Sequence, residues 1–374
     1  MDAPATLSPE PVRPGARFIP GIVDLSVTDY CNADCSFCGF ARSKMKRVPR
    51  RFVDADGVLR ALPILKRRGI AYINFQGGEP LLHPRMIEMV AAARAIGMKP
   101  SLITNGWKLP EKAEALAKAG LQNLLVSIDS HDLAAHEANR GLRNLTDRIA
   151  RGIVQLKARG VPVMASVTVN KLVDFAALPD TLRQLGFDAV TFSYPRKDPF
   201  GSSSLVYDED SDLVDYSEAE LLAALDAILE VKKRFPVLNP TASVRDIQRH
   251  VMGKPERFAC VGGFKYFYMD WNLDIWRCEA WHAPLGSVFE FDHMPDDRSP
   301  CTACIMSCYR DTSTLMHAGV AVDAAGRALA EWKPMQAART LLNRAVAQSL
   351  GTTMAEAGLI VKLGLRKGKA VRTP

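Results

Sequence analysis

Cys31-Asn32-Ala33-Asp34-Cys35-Ser36-Phe37-Cys38 is the stretch from which the rest of the chain can be read. It puts three thiols into eight residues, at spacings of x3 and then x2. Thiolates so spaced can wrap one corner of an iron–sulfide cubane, whose usual protein ligands are cysteines. A cubane has four irons, so three ligands leave one iron open to a bidentate small molecule. Phe37, directly before the third cysteine, would shield such a cluster from water. Structural zinc is the competing reading, but zinc sites generally pair cysteines as C-x2-4-C and need four ligands.

The chain around this stretch is 374 residues long, enough for one large domain and a smaller one. Hydrophobic residues make up 48% and charged residues 24%, an ordinary balance for a well-cored soluble protein. The eight cysteines fall into two groups, at 31–38 and 260–308. The opening MDAPATLSPEPVRPG is proline-rich with no apolar centre, and no run of about 18 apolar residues suggests a membrane span. Clustered cysteines without an export signal read as metal ligands in a reducing cytoplasm, not as disulfides. A net charge of +7 permits an acidic partner, but no basic strip interleaved with aromatics argues for nucleic acid. The basic stretch from Arg42 to Arg51 reads as a solvated loop face.

Taken in order, residues 1–20 form a flexible arm with five prolines. Ile22 to Thr28 alternates as a strand and ends just before the cysteine loop. Strands at Tyr72–Phe75, Pro100–Thr104, Leu124–Ile128, Val161–Val169 and Ala189–Ser193 then alternate with helices. Those helices are read at Arg85–Ile96, Pro110–Ala119, Leu145–Ala158 and Leu178–Leu185. Tandem βα repeats of this kind predict parallel strands with crossover helices, that is, an α/β fold built as a partial (β/α)6 barrel of TIM type over 21–195. In such barrels the working residues collect at the C-terminal ends of the strands, where Cys31, Glu79, Asn105, Asp129 and Asn170 fall. Residues 196–255 read as an acidic connector (Asp208, Glu209, Asp210, Asp212, Asp215) and two helices, the first opened by the capping box Ser217-x-x-Glu220. Residues 313–374 read as a helical C-terminus, with an apolar face of Leu342, Val346 and Leu350 and a basic tail.

The CxxxCxΦC spacing of Cys31, Cys35, Phe37 and Cys38 resembles the signature of the radical S-adenosylmethionine (SAM) enzymes. The resemblance extends over residues 22 to about 195, where Gly77-Gly78-Glu79-Pro80 matches the family's GGEP. It implies that the first cluster is a [4Fe–4S] centre whose open iron binds SAM, with GGEP holding the SAM amino group. One electron then cleaves SAM to methionine and a 5'-deoxyadenosyl radical. Thr104-Asn105, Ser127 with Asp129, and Asn170 look like the family's strand ends along the SAM ribose and methionine carboxylate. Arg140 sits in a stretch resembling the family's H-x3-RG, whose arginine can pair with the SAM carboxylate; a plain surface ion pair is the alternative.

The second group, Cys260, Cys278, Cys301, Cys304 and Cys308, is built differently. Phe264 to Arg277 alternates on either side of a polar turn, so it reads as a β-hairpin that brings two cysteines together. The loop CTACIMSC then closes over them. Residues 256–312 therefore resemble the SPASM and Twitch extensions of radical SAM enzymes, where a hairpin and a cysteine loop hold auxiliary [4Fe–4S] clusters beside the barrel mouth. Five cysteines are too few for two complete cubanes, so the expectation is one auxiliary cluster. Its ligands would be Cys260, Cys278 and Cys301 with either Cys304 or Cys308, and zinc is the alternative occupant. The Cys260–Cys278 interval resembles that of Twitch-type aminocyclitol dehydrogenases, and the cysteine loop more loosely that of radical SAM enzymes that adenosylate polyprenoids.

These readings together imply a cytoplasmic enzyme that abstracts hydrogen from a substrate C–H bond, the auxiliary cluster giving an oxidative outcome. Addition of the adenosyl radical to an isoprenoid double bond is the alternative chemistry, and a non-catalytic metal-binding scaffold is the alternative outside enzymes. The implied partners are a small-molecule, peptide or lipid substrate and an electron donor such as flavodoxin or ferredoxin. The basic C-terminus, with interleaved Leu359, Ile360, Val361, Leu363 and Leu365, adds an expectation of weak membrane-surface contact.

Overall fold

The structure, a computed structural model, describes residues 19–47, 49–195 and 211–365. Most of the proline-rich arm, the connector acids Asp208, Glu209 and Asp210, and the basic tail from Arg366 lie outside the described residues.

Six parallel strands form the barrel wall: β1 Gly21–Ser26, β2 Ile70–Gln76, β3 Lys99–Thr104, β4 Asn123–Ser127, β5 Val163–Thr168 and β6 Ala189–Ser193. The crossover helices between them are α1 Ala55–Arg67, α2 Met86–Ala95, α3 Leu109–Lys118, α4 Leu133–Arg140, α5 Leu145–Lys157 and α6 Leu178–Leu185. Sequence periodicity located every strand and four of these helices, and it missed α1 and α4. Both missed helices begin at an aspartate whose side chain accepts backbone N–H groups of the first turn, Asp54 for α1 and Asp132 for α4.

Side-chain alternation explains how the wall is used. Leu124 and Val126 of β4 are buried, while Asn123, Leu125 and Ser127 between them are only half-buried. Val190 and Phe192 of β6 are likewise buried, and Thr191 and Ser193 are half-buried. The buried set packs with Leu62, Val90, Leu116, Ile149 and Leu182 of the helices in one continuous core. The opposite set, polar apart from Leu125, faces the inside of the barrel.

The capping box at Ser217 has both halves in place, and α7 runs Glu218–Arg234, followed by α8 Thr241–Val251. The expected hairpin is present as β7 Tyr266–Met269 and β8 Asp274–Trp276, with a third strand, β9 Pro284–Ser287. Its placement was not foreseen. β7 pairs in parallel with β1, so all nine strands make one sheet, in the order β6-β5-β4-β3-β2-β1-β7-β8-β9. The free edge of β1 is thereby covered, which an open barrel otherwise leaves exposed. Because β7 runs with β1 and β8 against it, Cys260 and Cys278 lie at the N-terminal ends of the strands. That is the end opposite the cysteine loop, not the barrel mouth.

The C-terminal part is α9 Ser307–Ala330, α10 Pro334–Leu341 and α11 Arg344–Leu365. The single helical face expected across Leu342, Val346 and Leu350 is not formed, because the chain breaks between α10 and α11. Val346 is 6% exposed and packs on α9, whereas Leu342 is 87% and Leu350 51% exposed. Among the described residues no helix is long and apolar enough to cross a membrane.

Candidate functional site

The cysteine loop is tied to itself and to α4. Cys38 N donates to Cys35 O, Ala41 N to Cys38 O, Arg42 N to Ala33 O, and Asp34 N to the Arg140 carbonyl. Ser36 Oγ donates to Asn139 Oδ1 at 3.0 Å. Ala33, Phe37 and Phe40 are buried, so the loop carries its own apolar base. Burial comes first in raising all three thiols. Cys31 is pushed up to about 12, with Glu79 and Cys38 adding to the effect. Such thiols stay protonated unless a cation takes their charge.

The segment after β2 lies against this loop. Gly78 N donates to Thr28 O at 2.7 Å and Glu79 N to Tyr30 O at 2.8 Å. A Cβ on Gly77, whose φ is +122°, would stand 2.4 Å from Thr28 O; one on Gly78 would stand 2.3 Å from Tyr30 O. The close approach that requires glycine here is to the chain entering the cysteine loop, where sequence reading had invoked a ligand. Pro80 opens a short 3-10 turn, Pro80–Leu82. Glu79 is 0% exposed and gathers the neighbouring strand ends, accepting from Thr104 Oγ1 (2.7 Å), Asn105 N (2.7 Å) and Leu81 N (3.0 Å). Asn105 in turn donates through Nδ2 to Asn32 Oδ1 at 2.8 Å, inside the cysteine loop.

A second buried node closes the other side. Asp129 accepts from Arg140 Nη2 at 2.6 Å and from Asn139 Nδ2 at 2.8 Å, and Asn170 Nδ2 donates to its carbonyl at 2.9 Å. Burial raises the Asp129 carboxyl, and the Arg140 charge, with the hydrogen bonds from Arg140 and Asn139, more than reverses this, leaving it below its usual range. Burial pushes His136 down to about 4, so it is a neutral ring whose Nδ1 accepts from Asp129 N. Arg140 is thus neither a surface ion pair nor wholly committed. Its Nε is buried without a hydrogen-bond partner among the described residues, and its charge is felt by Cys31, Cys35 and Glu79. The unused donor is what an anionic ligand group beside the cysteines would need. Ser127 lies half-buried at the end of β4, on the inner face. Sequence reading passed over Asn139 and Asn32, whose roles appear only once α4 and the loop are in contact.

The second cysteine group is assembled by Arg277, 1% exposed at the end of the hairpin. It donates from Nη2 to Ser299 O at 2.6 Å and from Nη1 to Asp297 Oδ2 at 2.5 Å, while Asp297 N donates to Gly263 O. The strap leading to Cys301 and Cys304 is thereby fastened to both ends of the hairpin. Cys260 is pushed up to about 11 and Cys278 to about 12, first by burial, and each is affected by Cys301 and Cys304. Cys308, in the first turn of α9, also rises through burial, but its leading charged neighbours are Glu279 and Asp24, ahead of Cys304. Cys260 and Cys278 thus lie near Cys301 and Cys304, while Cys308 lies near Glu279 and Asp24 as well as Cys304, and Cys260, Cys278, Cys304 and Cys308 share one apolar cluster. Among the described residues no three His, Cys, Asp or Glu side chains are drawn together tightly enough for a single metal ion.

A three-cysteine loop and a glycine-braced carboxylate thus meet at the C-terminal end of a parallel barrel wall. Residues 25–185 match the Radical SAM superfamily, so this stretch of the chain is a radical SAM domain. GTP 3',8-cyclase 2 of Mycobacterium tuberculosis is 35% identical over 175 residues, 46% of either chain. GTP 3',8-cyclase of Mycolicibacterium smegmatis is 36% identical over 167 residues, 44% of this chain and 45% of that one. The chain thus spans less than half the length of the relatives it matches. Among solved structures, Streptococcus suis SuiB bound to S-adenosylmethionine shares the fold with a TM-score of 0.52 at 16% identity, covering 70% of this chain and 60% of that one. Native anSMEcpe with bound AdoMet does so with a TM-score of 0.53 at 13% identity, covering 92% and 99%.

Proposed function

We propose that this protein reductively cleaves SAM and uses the resulting radical to take hydrogen from a substrate C–H bond, with an oxidative outcome. The carrying observation is the clamp on the cysteine loop, held on one side by Gly77, Gly78 and Glu79 and on the other by Asp129, Asn139 and Arg140. A [4Fe–4S] cluster on Cys31, Cys35 and Cys38 would supply an open iron for SAM and the electron that cleaves it. Around it, the Glu79 carboxylate is placed to accept from an ammonium group, and the Arg140 guanidinium to donate to a carboxylate. Thr104, Asn105, Ser127 and Asn170 line the strand ends along which the rest of SAM would lie. Cys260, Cys278, Cys301 and Cys304 would hold the auxiliary [4Fe–4S] cluster of a SPASM/Twitch-like unit, leaving Cys308 as the spare thiol.

Iron and sulfide content after anaerobic reconstitution tests both assignments. Wild type is expected to hold about eight irons per chain and Cys31/Cys35/Cys38→Ala about four. Cys304→Ala is likewise expected to fall to about four, with Cys308→Ala staying near eight. Loss of iron in Cys308→Ala but not in Cys304→Ala would reverse the ligand choice. Zinc in place of the second four irons would remove the oxidative reading. Free 5'-deoxyadenosine is the expected co-product; an adenosylated product would point to radical addition instead, and SAM binding without cleavage to a non-catalytic scaffold.

The electron would come from a small acidic reductant such as flavodoxin or ferredoxin, in the cytoplasm. Arg42, Lys44, Lys46, Arg47 and Arg50 are exposed beside the cysteine loop and form a basic rim for it. Lys46→Glu/Arg47→Glu is expected to slow reduction by flavodoxin about tenfold at low salt, an effect that fades at high salt. Reduction by dithionite serves as the comparison and is expected to stay unchanged; equal slowing with both reductants would discard the rim. Membrane-surface contact through the C-terminus rests on sequence alone, and sedimentation with anionic vesicles tests it.

A further inference from the structure

The inner face of the barrel holds a polar floor between the two cysteine groups. Asp24, in the middle of β1, is 3% exposed and accepts from Asn74 Nδ2 of β2 at 2.7 Å. It also accepts from Tyr266 Oη of β7 at 2.9 and 3.0 Å. Ser101 Oγ of β3 donates to Asn74 Oδ1, which extends the chain to a third strand. Gln76 Nε2, one inward position further along β2, donates to Glu279 Oε1. From below, Tyr309 of α9 packs on Tyr266 with ring centroids 4.5 Å apart. Tyr309 is 0% exposed, and its hydroxyl has no hydrogen-bond partner among the described residues. Its ring partner Tyr266 is the residue that bonds Asp24, which places Tyr309 beside the same floor.

A buried phenol with an unused donor and acceptor costs about 1–3 kcal/mol unless something completes it. What completes it must also suit the wall beside it. Ionised carboxylates accept hydrogen bonds and cannot donate them, and the described partners of Asp24, Asn74 and Tyr266, are both uncharged. A phosphate or carboxylate brought against Asp24 and Glu279 would meet like charge at low dielectric, whereas a hydroxyl or ammonium would meet acceptors.

We propose that this floor, anchored by Asp24 and completed by the Tyr309 hydroxyl, is the recognition site for a neutral or cationic small molecule that enters by a hydroxyl or amino group. This rests on the radical SAM reading above and adds to it a substrate class.

The test is calorimetric titration of reconstituted protein with SAM present, using glucose, glucosamine, glucose 6-phosphate, guanosine and GTP as probes. Glucosamine and at least one neutral probe are expected to bind, with both phosphorylated probes at least tenfold weaker than their unphosphorylated partners. Asp24→Asn is expected to weaken glucosamine at least tenfold, and Tyr309→Phe to weaken the neutral probe severalfold. Asp24→Asn keeps the side-chain shape, and Tyr309→Phe removes only the hydroxyl, so a failure of one variant to fold leaves the other informative. Equal or tighter binding of the phosphorylated probes, no change in either variant, or no binding by any probe overturns the proposal. Release of 5'-deoxyadenosine from SAM and dithionite without substrate is measured alongside. Its absence in wild type defeats the radical reading, whereas its presence with no selectivity among the probes defeats this inference alone.

Discussion

Replacing Gly78 with alanine is expected to lower 5'-deoxyadenosine release at least about 100-fold while iron content stays at the wild-type value. The added Cβ would stand 2.3 Å from Tyr30 O, 2.5 Å from Tyr30 C and 3.0 Å from Asp29 C. All three are backbone atoms, so no side chain can swing aside to make room. The strain has to be relieved by parting the Gly77–Glu79 segment from the chain that enters the cysteine loop. That movement breaks the bond from Glu79 N to Tyr30 O and carries the Glu79 carboxylate away from Cys31. The thiols themselves stay in their loop, held by Asn139 and the Arg140 carbonyl, so a cluster should still load. A displacement of about 1 Å is enough for a loss of this size when two reacting groups must be aligned. Gly326→Ala is the control, since a Cβ there meets nothing within 4 Å and both measurements should be unchanged. Wild-type SAM affinity by equilibrium dialysis, together with wild-type release in Gly78→Ala, would sink the assigned role of this segment.

How far the sequence could be read depended on the range of the interactions involved. Strand ends, the Ser217 capping box and the two cysteine groups are local, and each was legible from spacing or alternation alone. The parallel pairing of β7 with β1 joins residues more than two hundred positions apart, and a hairpin pattern carries no sign of which edge it will extend. For the same reason the polar floor went unread. Asp24, Asn74 and Ser101 each occupy an alternating strand position, yet only the register of three strands shows that they share a face. Cys304 and Cys308 differ in where they sit relative to α9. Starting at Ser307, the helix places the two cysteines in different local geometries, which the spacing CxxCxxxC does not encode. The helix read across Leu342 failed because an apolar period continues through a break that the backbone makes between α10 and α11.

Asp24→Asn should also make the protein more stable at pH 7.5 by up to about 3 kcal/mol, a gain that falls to roughly half at pH 5. Burial raises the Asp24 carboxyl from 3.8 to about 6, against the opposing effect of its bonds to Asn74 and Tyr266. The direction of the pH effect follows from proton counts. Between the unfolded and folded values the folded chain binds the extra proton, so stability falls as pH rises through that window. Above about pH 6 the native state carries the whole cost of an ionised carboxylate in a dry interior. Asparagine keeps an oxygen to accept from Tyr266 and Asn74 and carries no charge at any pH. Denaturation midpoints of both proteins at the two pH values check this, and a variant destabilised at pH 7.5 would refute it. Set beside the expected tenfold loss of glucosamine binding, the stability gain separates two explanations of the carboxylate. If it served only to join β1, β2 and β7, its replacement by a neutral isostere would be free of functional cost. A variant that is more stable and binds less well instead marks Asp24 as a group whose burial the fold tolerates for the sake of the ligand it meets.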